Sequence, residues 1–148
     1  MRKSFNLREV TQSDWKVLLE WRNEKITRQN SFNSDLASLS EHKEYIKNTI
    51  ANPNRKLFVL EYNDIPVGTI REDRLENDEL ELSYTISPMY RGKKIGQIMM
   101  SIYLIERKGV FICKVKEDNV TSIKMIEKLG FKLFNKEKRV NFYKLNLS

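Results

Sequence analysis

The amino-acid sequence predicts an α/β fold, with a mixed, mostly antiparallel central sheet flanked by helices. The segment from Glu79 to Met100 indicates a strand, a turn and a helix, because apolar residues alternate over Leu80 to Ile86 and recur at helical spacing over Ile95 to Ile105. Two hairpin patterns indicate antiparallel pairing. The strand-helix-strand-helix-strand order of the second half indicates parallel pairing, so the sheet is expected to be mixed.

The first half of the chain is predicted to hold a strand followed by two helices. Thr11 is typical of a helix cap, and the helix after it is expected to end near Asn23. The polar segment 24–37 is predicted to be a loop or a frayed short helix. Ser38 resembles the start of a second capping box, and the helix that it opens is expected to stop before Asn52.

The second half completes the sheet. After the central helix, which Gly109 is expected to break, the chain returns as a short apolar strand. The remaining predicted elements are the strands Lys56–Tyr62, Ile65–Arg71 and Val110–Val115, a helix from Asn119 or Thr121 to Gly130, and a last hairpin of Phe131–Phe134 and Val140–Leu145.

Length and composition favour one domain over residues 1–148. The chain has 148 residues, of which 40% are hydrophobic and 32% are charged, so it can bury a core but is short for two domains. No apolar run approaches the roughly 20 residues that span a bilayer, and the N-terminus lacks the apolar part of a signal peptide. We therefore expect a cytoplasmic protein without a membrane partner. The single cysteine, Cys113, is expected to be a buried small apolar residue.

The turn before the central helix predicts a phosphate-bearing ligand. The run Arg91-Gly92-Lys93-Lys94-Ile95-Gly96 places basic side chains beside the first backbone N–H groups of a helix, which have no partners within the helix. The same pattern also occurs without any ligand. The formal net charge of +7 is spread along the chain without aromatic-basic interleaving, which argues against nucleic acid and fits a polyanionic small ligand.

These residues resemble the acetyl-CoA signature of the GNAT superfamily of N-acetyltransferases. Arg91 and Gly96 match that signature, whereas Lys94 stands where a glycine is usual. Asn119, Ser122 and the run 127–131 (EKLGF) resemble the second family segment. The resemblance implies acetyl-CoA as co-substrate, no metal, and a cofactor site formed by Ile86, Ser87, Arg91, Gly92, Lys93, Lys94, Ile95, Gly96, Gln97 and Asn119.

The resemblance also implies candidate catalytic residues. Glu81 stands where the family often places a carboxylate that serves as base, although strand carboxylates are ordinarily solvated. Many relatives protonate the leaving thiolate with a tyrosine at the position that Ile126 occupies here. Tyr143 or Ser122 could substitute, solvent could protonate the thiolate, or the protein is not a catalyst.

A narrower likeness suggests the acceptor site. The run Trp21-Arg22-Asn23 with Arg28 and His42 resembles family members that acetylate nucleotide-linked amino sugars, and also the ribosomal-protein and polyamine branches. Trp21 could equally be a core residue, and His42 a solvated or capping residue. The full predicted acceptor set is Trp21, Arg22, Asn23, Arg28, Phe32, His42 and Glu79.

The sequence thus predicts an acetyl-CoA-dependent N-acetyltransferase acting on the primary amine of a small molecule, most consistent with an amino sugar on a nucleotide carrier. Acetylation of a peptide N-terminus or a polyamine is an alternative, and so is a non-catalytic acyl-CoA-binding module. A homodimer is a possible assembly.

Overall fold

Seven strands form one sheet in the computed structural model, which describes residues 4–148. The sheet order is β1-β2-β3-β4-β5-β7-β6. The strands are β1 Phe5–Glu9, β2 Arg55–Tyr62, β3 Ile65–Arg74, β4 Leu80–Ile86, β5 Gly109–Lys116, β6 Lys132–Glu137 and β7 Val140–Leu147. The helices are α1 Trp15–Asn23, α2 Lys25–Asn30, α3 Leu39–Ala51, α4 Ile95–Leu104 and α5 Val120–Lys128.

The sheet is mixed and mostly antiparallel, which confirms the predicted fold class. Within the described residues, β4 and β5 are the one parallel pair, because α4 carries the chain back to the edge where β4 began. The second crossover, through α5, does not produce another parallel pair. β7 inserts between β5 and β6 and pairs with both in the antiparallel sense.

Helices cover both faces of the sheet and bury two apolar clusters. On one face, α1 and α3 pack against β2 through residues such as Leu18, Ile46 and Val59. On the other face, α4 and α5 contribute Met99 and Ile126 to the larger cluster. Burial of this apolar surface is the main stabilising contribution to the fold.

The predicted helix caps have identifiable partners. The Asp14 carboxylate accepts the Thr11 N–H at 2.8 Å in the turn that leads into α1, and the Ser38 hydroxyl accepts the Glu41 N–H at 3.2 Å. Asn119, rather than Thr121, caps α5. These local contacts explain why the helices begin where the sequence predicts.

Two local predictions need correction or refinement. The central helix does not continue to Gly109: α4 ends at Leu104, and Ile105 is 71% exposed rather than part of the apolar helical face. Gly109, with φ of +123°, instead begins β5. In the polar segment, α2 is a formed six-residue helix, because the Glu24 side chain accepts the N–H groups of Ile26 and Thr27.

Among residues 4–148, no helix is both long and apolar enough to cross a membrane.

Candidate active site

The parallel strands β4 and β5 separate after a short paired stretch. Their pairing joins Leu80–Leu82 to Phe111–Cys113, although β4 continues to Ile86 and β5 to Lys116. The Ser87 N–H bonds the Val67 carbonyl of β3 at 2.9 Å, and successive residues of a strand face opposite neighbours. The backbone groups of Ile86 therefore face the gap between β4 and β5, where an extended ligand could pair with them.

A cleft of about 1410 Å³ runs from α1 and α3, past this gap, to the starts of α4 and α5. Among the described residues that line it, Glu127 is the single carboxylate. The basic residues of the walls are Arg22, Arg71, Arg91, Lys94, Lys114, Lys124 and Lys128. This excess of positive charge favours a ligand with several negative charges.

The turn at the start of α4 gives the cleft an anion-binding wall. Lys94 is the N-cap of α4 and has a φ of +60°, a left-handed conformation that glycine adopts more easily. Ile95, Gly96 and Gln97 form the first turn of α4 and line the cleft. Their backbone N–H groups are free of helical partners, so an oxyanion can bind there.

Two predicted cofactor residues of this region are not among the described residues that line the cleft. Lys93 lies outside the described walls of the cleft, with its ammonium 5.4 Å from the centre of the Tyr90 ring. Ser87 is buried, and its backbone N–H is already bonded to β3. The other predicted cofactor residues line the cleft; they are Ile86, Arg91, Gly92, Lys94, Ile95, Gly96, Gln97 and Asn119.

The Arg91 side chain is held by α2. Its guanidinium donates to the Glu24 carboxylate and, at 2.9 Å, to the Thr27 hydroxyl. The hydrogen bond from Arg91 is the largest cause that lowers the pKa of Glu24 to about 2. Sequence reasoning missed Glu24 and Thr27, which lie more than sixty positions before Arg91. The one signal in the sequence was the acidic residue Glu24 at a position where it can cap a helix.

The opposite end of α2 contacts β5. The Lys116 ammonium donates to the Gln29 carbonyl at 2.9 Å. Arg91 lies on the β4 side of the gap and Lys116 on the β5 side. Hydrogen bonds therefore connect α2 to both sides of the gap. This short helix therefore links the turn before α4 to the end of β5.

Several predicted acceptor residues stabilise the segment around α2. The Asn23 amide bonds the N–H and the carbonyl of Ala37 at 2.7 and 2.9 Å. Arg28 donates to the carbonyls of Asn23 and Ser34, and neither Asn23 nor Arg28 is among the described residues that line the cleft. Phe32 is exposed and borders the cleft.

Three of the residues predicted to bind the acceptor, Trp21, Arg22 and His42, line the cleft beside α1 and α3, and this part of the cleft is named the acceptor end after that prediction. Trp21 is 6% exposed and belongs to the apolar cluster beneath α1 and α3, so it is both a core residue and a cleft residue. His42 is 2% exposed, and neither ring nitrogen has a hydrogen-bond partner within the described part of the chain. Burial is the main cause that lowers the pKa of His42, followed by the charge of Arg22.

The two predicted carboxylates are paired with lysines. Glu81 lies 3.1 Å from the Lys114 ammonium and lines a smaller cavity of about 400 Å³ beside Phe32. Glu79 precedes β4 and lies 3.4 Å from the Lys144 ammonium. Glu81 is therefore outside the described walls of the larger cleft, although its cavity shares Phe32 and Lys114 with that cleft, and Glu79 lines neither cavity.

Two hydroxyl groups meet beside the gap. The Tyr84 hydroxyl and the Ser122 hydroxyl form a hydrogen bond, and both residues line the cleft. Burial raises the pKa of Tyr84 above its usual value. Tyr143, in contrast, is 2% exposed, accepts a hydrogen bond from the Asn141 amide at 3.2 Å, and is not among the described cleft residues. Sequence reasoning missed Tyr84, which fitted the apolar alternation of β4.

The residues described here offer no group of three His, Cys, Asp or Glu side chains that could hold a metal ion.

Comparison with known proteins places the chain in a family. Residues 4–132 match the model of the acetyltransferase (GNAT) domain. An uncharacterized protein of Methanocaldococcus jannaschii is 28% identical over 95% of this chain, which spans 31% of the length of that relative. A domain from the same organism has a similar structure, with a TM-score of 0.85 and 25% identity over 99% of this chain and 100% of that one.

A spermidine N-acetyltransferase from Vibrio cholerae, solved with CoA and spermine, shares the fold with a TM-score of 0.82 and 17% identity over 97% of this chain and 95% of that one. At 17% identity, the similarity between this chain and that enzyme shows a shared fold and nothing more. The domain match covers most of the sequence, and it agrees with the separated β4 and β5 strands and the basic helix start. The chain belongs to the GNAT acetyltransferase domain family.

Proposed function

We propose that the chain transfers an acetyl group from acetyl-CoA to the primary amine of a small molecule, by direct attack in a ternary complex. The observation that supports this function best is the gap between β4 and β5, which opens beside the positively charged start of α4. The gap suits an extended, amide-containing arm, and the helix start suits the phosphates at its end. Acetyl-CoA has both parts.

The residues around the gap have separate roles in this proposal. The Ile86 N–H donates a hydrogen bond to the thioester carbonyl, because it faces the gap and has no partner on β3. The N–H groups from Ile95 to Gln97 bind the pyrophosphate, with Arg91 adding positive charge. Asn119 forms the wall that the pantetheine arm contacts.

Acetyl-CoA supplies an activated acetyl group, so the amine nitrogen forms the new C–N bond as the C–S bond breaks. Glu81, from the smaller cavity that shares Phe32 and Lys114 with the cleft, accepts the proton that the amine loses. Ser122, supported by Tyr84, donates a proton to the departing sulfur. A thiolate is already a fair leaving group, because its unperturbed pKa is about 8.5, so this donor assists the reaction and is not essential.

An amino sugar on a nucleotide carrier is the acceptor that this cleft favours. Such a carrier has negative charge, and the acceptor end presents Arg22 and Arg71. A polyamine would bring several positive charges to walls where Glu127 is the single described carboxylate. Coulomb repulsion therefore disfavours the polyamine alternative.

A thiol-release assay with a panel of amines tests the proposal. Acetyl-CoA is mixed with the protein and a nucleotide-linked amino sugar, spermidine or a short peptide, and free CoA is detected with a thiol reagent. Cys113 is 1% exposed and burial raises the pKa of its thiol, so the native protein adds no background. We expect release with the amino sugar to exceed release with spermidine by at least tenfold. Tight acetyl-CoA binding without thiol release for any amine would instead indicate a non-catalytic binding module.

A further inference from the structure

Three arginines surround Tyr45, and two of them, Arg22 and Arg71, line the acceptor end of the cleft. Arg71 donates to the Tyr45 hydroxyl at 3.2 Å, and the guanidinium carbons of Arg22 and Arg55 lie 5.3 and 5.9 Å from the centre of the Tyr45 ring. One carboxylate, Asp73, is shared between Arg55 at 2.6 Å and Arg71 at 2.9 Å. Within residues 4–148, Arg22 has no carboxylate within 4.0 Å. The cluster therefore carries uncompensated positive charge.

Arg71 has donor capacity that the protein does not use. A guanidinium has five N–H groups, and those of Arg71 with described partners are on Nε, bonded to Asp73, and on Nη1, bonded to Tyr45. These two contacts fix the plane of the guanidinium. The remaining N–H groups belong to a side chain that is 31% exposed and lines the cleft together with Arg22 and Tyr45. The guanidinium of Arg71 is thus held in one orientation, with N–H groups that a ligand in the cleft could use.

His42 is a second, independent indication of a polar ligand in this corner. It lines the cleft one helical turn before Tyr45, and its ring lies 6.0 Å from the Tyr45 ring. Both ring nitrogens are buried, and neither forms a hydrogen bond of normal geometry with a described residue. Burial lowers the pKa of His42, and the backbone of Trp15 acts in the opposite direction. Buried polar groups are normally satisfied, so the imidazole of His42 has hydrogen-bonding capacity that a ligand in this corner could use.

We propose that Arg71 and Arg22, with His42 beside them, form a subsite for the phosphate of a phosphate-bearing amine acceptor. The inference rests on the proposed function, because it assigns the acceptor of the same reaction. A phosphate ester carries about 1.5 to 2 negative charges at neutral pH, which matches three guanidinium groups that share one carboxylate. An acceptor with one carboxylate in place of the phosphate would leave part of the positive charge of the arginine cluster uncompensated. The planar Tyr45 ring supplies a surface beside the phosphate for the rest of the acceptor.

Calorimetry on CoA-saturated protein tests the subsite without requiring turnover. Saturating CoA occupies the cofactor turn, so a second ligand must bind elsewhere. Uridine diphosphate is the probe, and uridine is the matched ligand without phosphate. We expect uridine diphosphate to bind at least tenfold more tightly than uridine. Arg71→Ala and Arg22→Ala should each weaken its binding about tenfold or more, because each removes a charge-assisted contact.

Arg74→Ala is the control for the loss of one positive charge. Arg74 lies at the end of the same strand as Arg71, is half-exposed and pairs with Asp78, outside the described cleft walls. This variant should bind uridine diphosphate like the wild type. Circular dichroism establishes that each variant is folded. If Arg71→Ala does not fold, Arg71→Lys replaces it, and we expect a weaker, but still measurable, loss because the charge remains and the forked geometry is lost.

Three results would overturn the subsite: equal affinity for uridine diphosphate and uridine, unchanged affinity in the Arg71 and Arg22 variants, or no binding at millimolar probe. Failure of the proposed function is a separate result, namely the absence of thiol release with every amine. Tight probe binding without thiol release would keep the subsite and reject the reaction.

Discussion

Arg91 at the start of the cofactor turn and Glu24 at the start of α2 form an ion pair, and the Thr27 hydroxyl accepts a second hydrogen bond from the same guanidinium nitrogen at 2.9 Å. The contact joins the turn before α4 to the start of α2. In the proposed complex, Glu24 and the cofactor pyrophosphate share Arg91. This relationship makes Arg91 and Glu24 the first residues to test.

Arg91→Ala should weaken acetyl-CoA binding by about 1.5–3 kcal/mol if the guanidinium contacts phosphate, as charge-assisted contacts typically do. Glu24→Gln should retain or improve that binding, because it removes a competing carboxylate. Calorimetric titration of each variant with acetyl-CoA measures both effects. Identical affinity in Arg91→Ala and the wild type would show that Arg91 serves α2 alone.

Glu24 should also stabilise the fold in a pH-dependent way. Its pKa falls from 4.5 to about 2 in the folded protein, so its contribution is fully present above about pH 4.5 and is lost as the pH falls toward 2. Thermal melts of the wild type and Glu24→Gln should therefore differ most above pH 4.5 and converge in stronger acid. A difference in melting temperature that does not change over this range would contradict the role of the ion pair.

Lys94→Gly should stabilise the turn. The left-handed conformation at Lys94, with φ of +60°, costs a side-chain-bearing residue about 1 kcal/mol relative to glycine. We expect a higher melting temperature and an acetyl-CoA affinity that holds or improves. Gly92→Ala is the opposite control, because φ at Gly92 is +76° and the alanine should destabilise the turn. A tenfold loss of affinity in Lys94→Gly would show instead that the Lys94 ammonium binds the cofactor.

Trp21 and His42 should respond differently to substitution. Trp21→Ala vacates a core position and should lower the free energy of unfolding by about 3–5 kcal/mol. His42→Leu removes two unpartnered buried nitrogens, so stability should be kept or raised while the KM for the acceptor increases. Chemical denaturation and acceptor kinetics separate the two effects. Unchanged acceptor kinetics in His42→Leu would remove His42 from the acceptor site.

Ser122, rather than Tyr143, should assist the leaving group. Ser122→Ala should lower kcat about tenfold, and Tyr143→Phe should lower it less than tenfold because Tyr143 is outside the described cleft walls. Ile126→Tyr should destabilise the fold by about 1–3 kcal/mol, because Ile126 is completely buried and the larger side chain would overpack the core. A loss of a hundredfold or more in Tyr143→Phe would identify Tyr143 as the general acid.

The sequence predicted most of the fold because its signals are local. Helix caps at Thr11 and Ser38, the alternation in β4 and the two family segments are each contained in a few consecutive residues. The remaining features depend on long-range packing. The contact of Arg91 with Glu24, the meeting of Tyr84 with Ser122, and the corner around Tyr45 each join distant segments. The separation of β4 from β5 is likewise a property of pairing, which alternation within one strand does not encode.

The backbone N–H of Ile86 is central to the proposed reaction, and Ile86→Pro removes it without breaking a hydrogen bond to β3. Ile86→Ala is the matched control, because it shortens the side chain and keeps the N–H. The decisive measurement is kcat for acetyl transfer to the best amine of the panel. We predict a loss of about a hundredfold or more in Ile86→Pro, with acetyl-CoA affinity and fold retained, and a much smaller loss in Ile86→Ala. Equal kcat values in the two variants would contradict the assignment of the gap between β4 and β5 as the site of acetyl transfer.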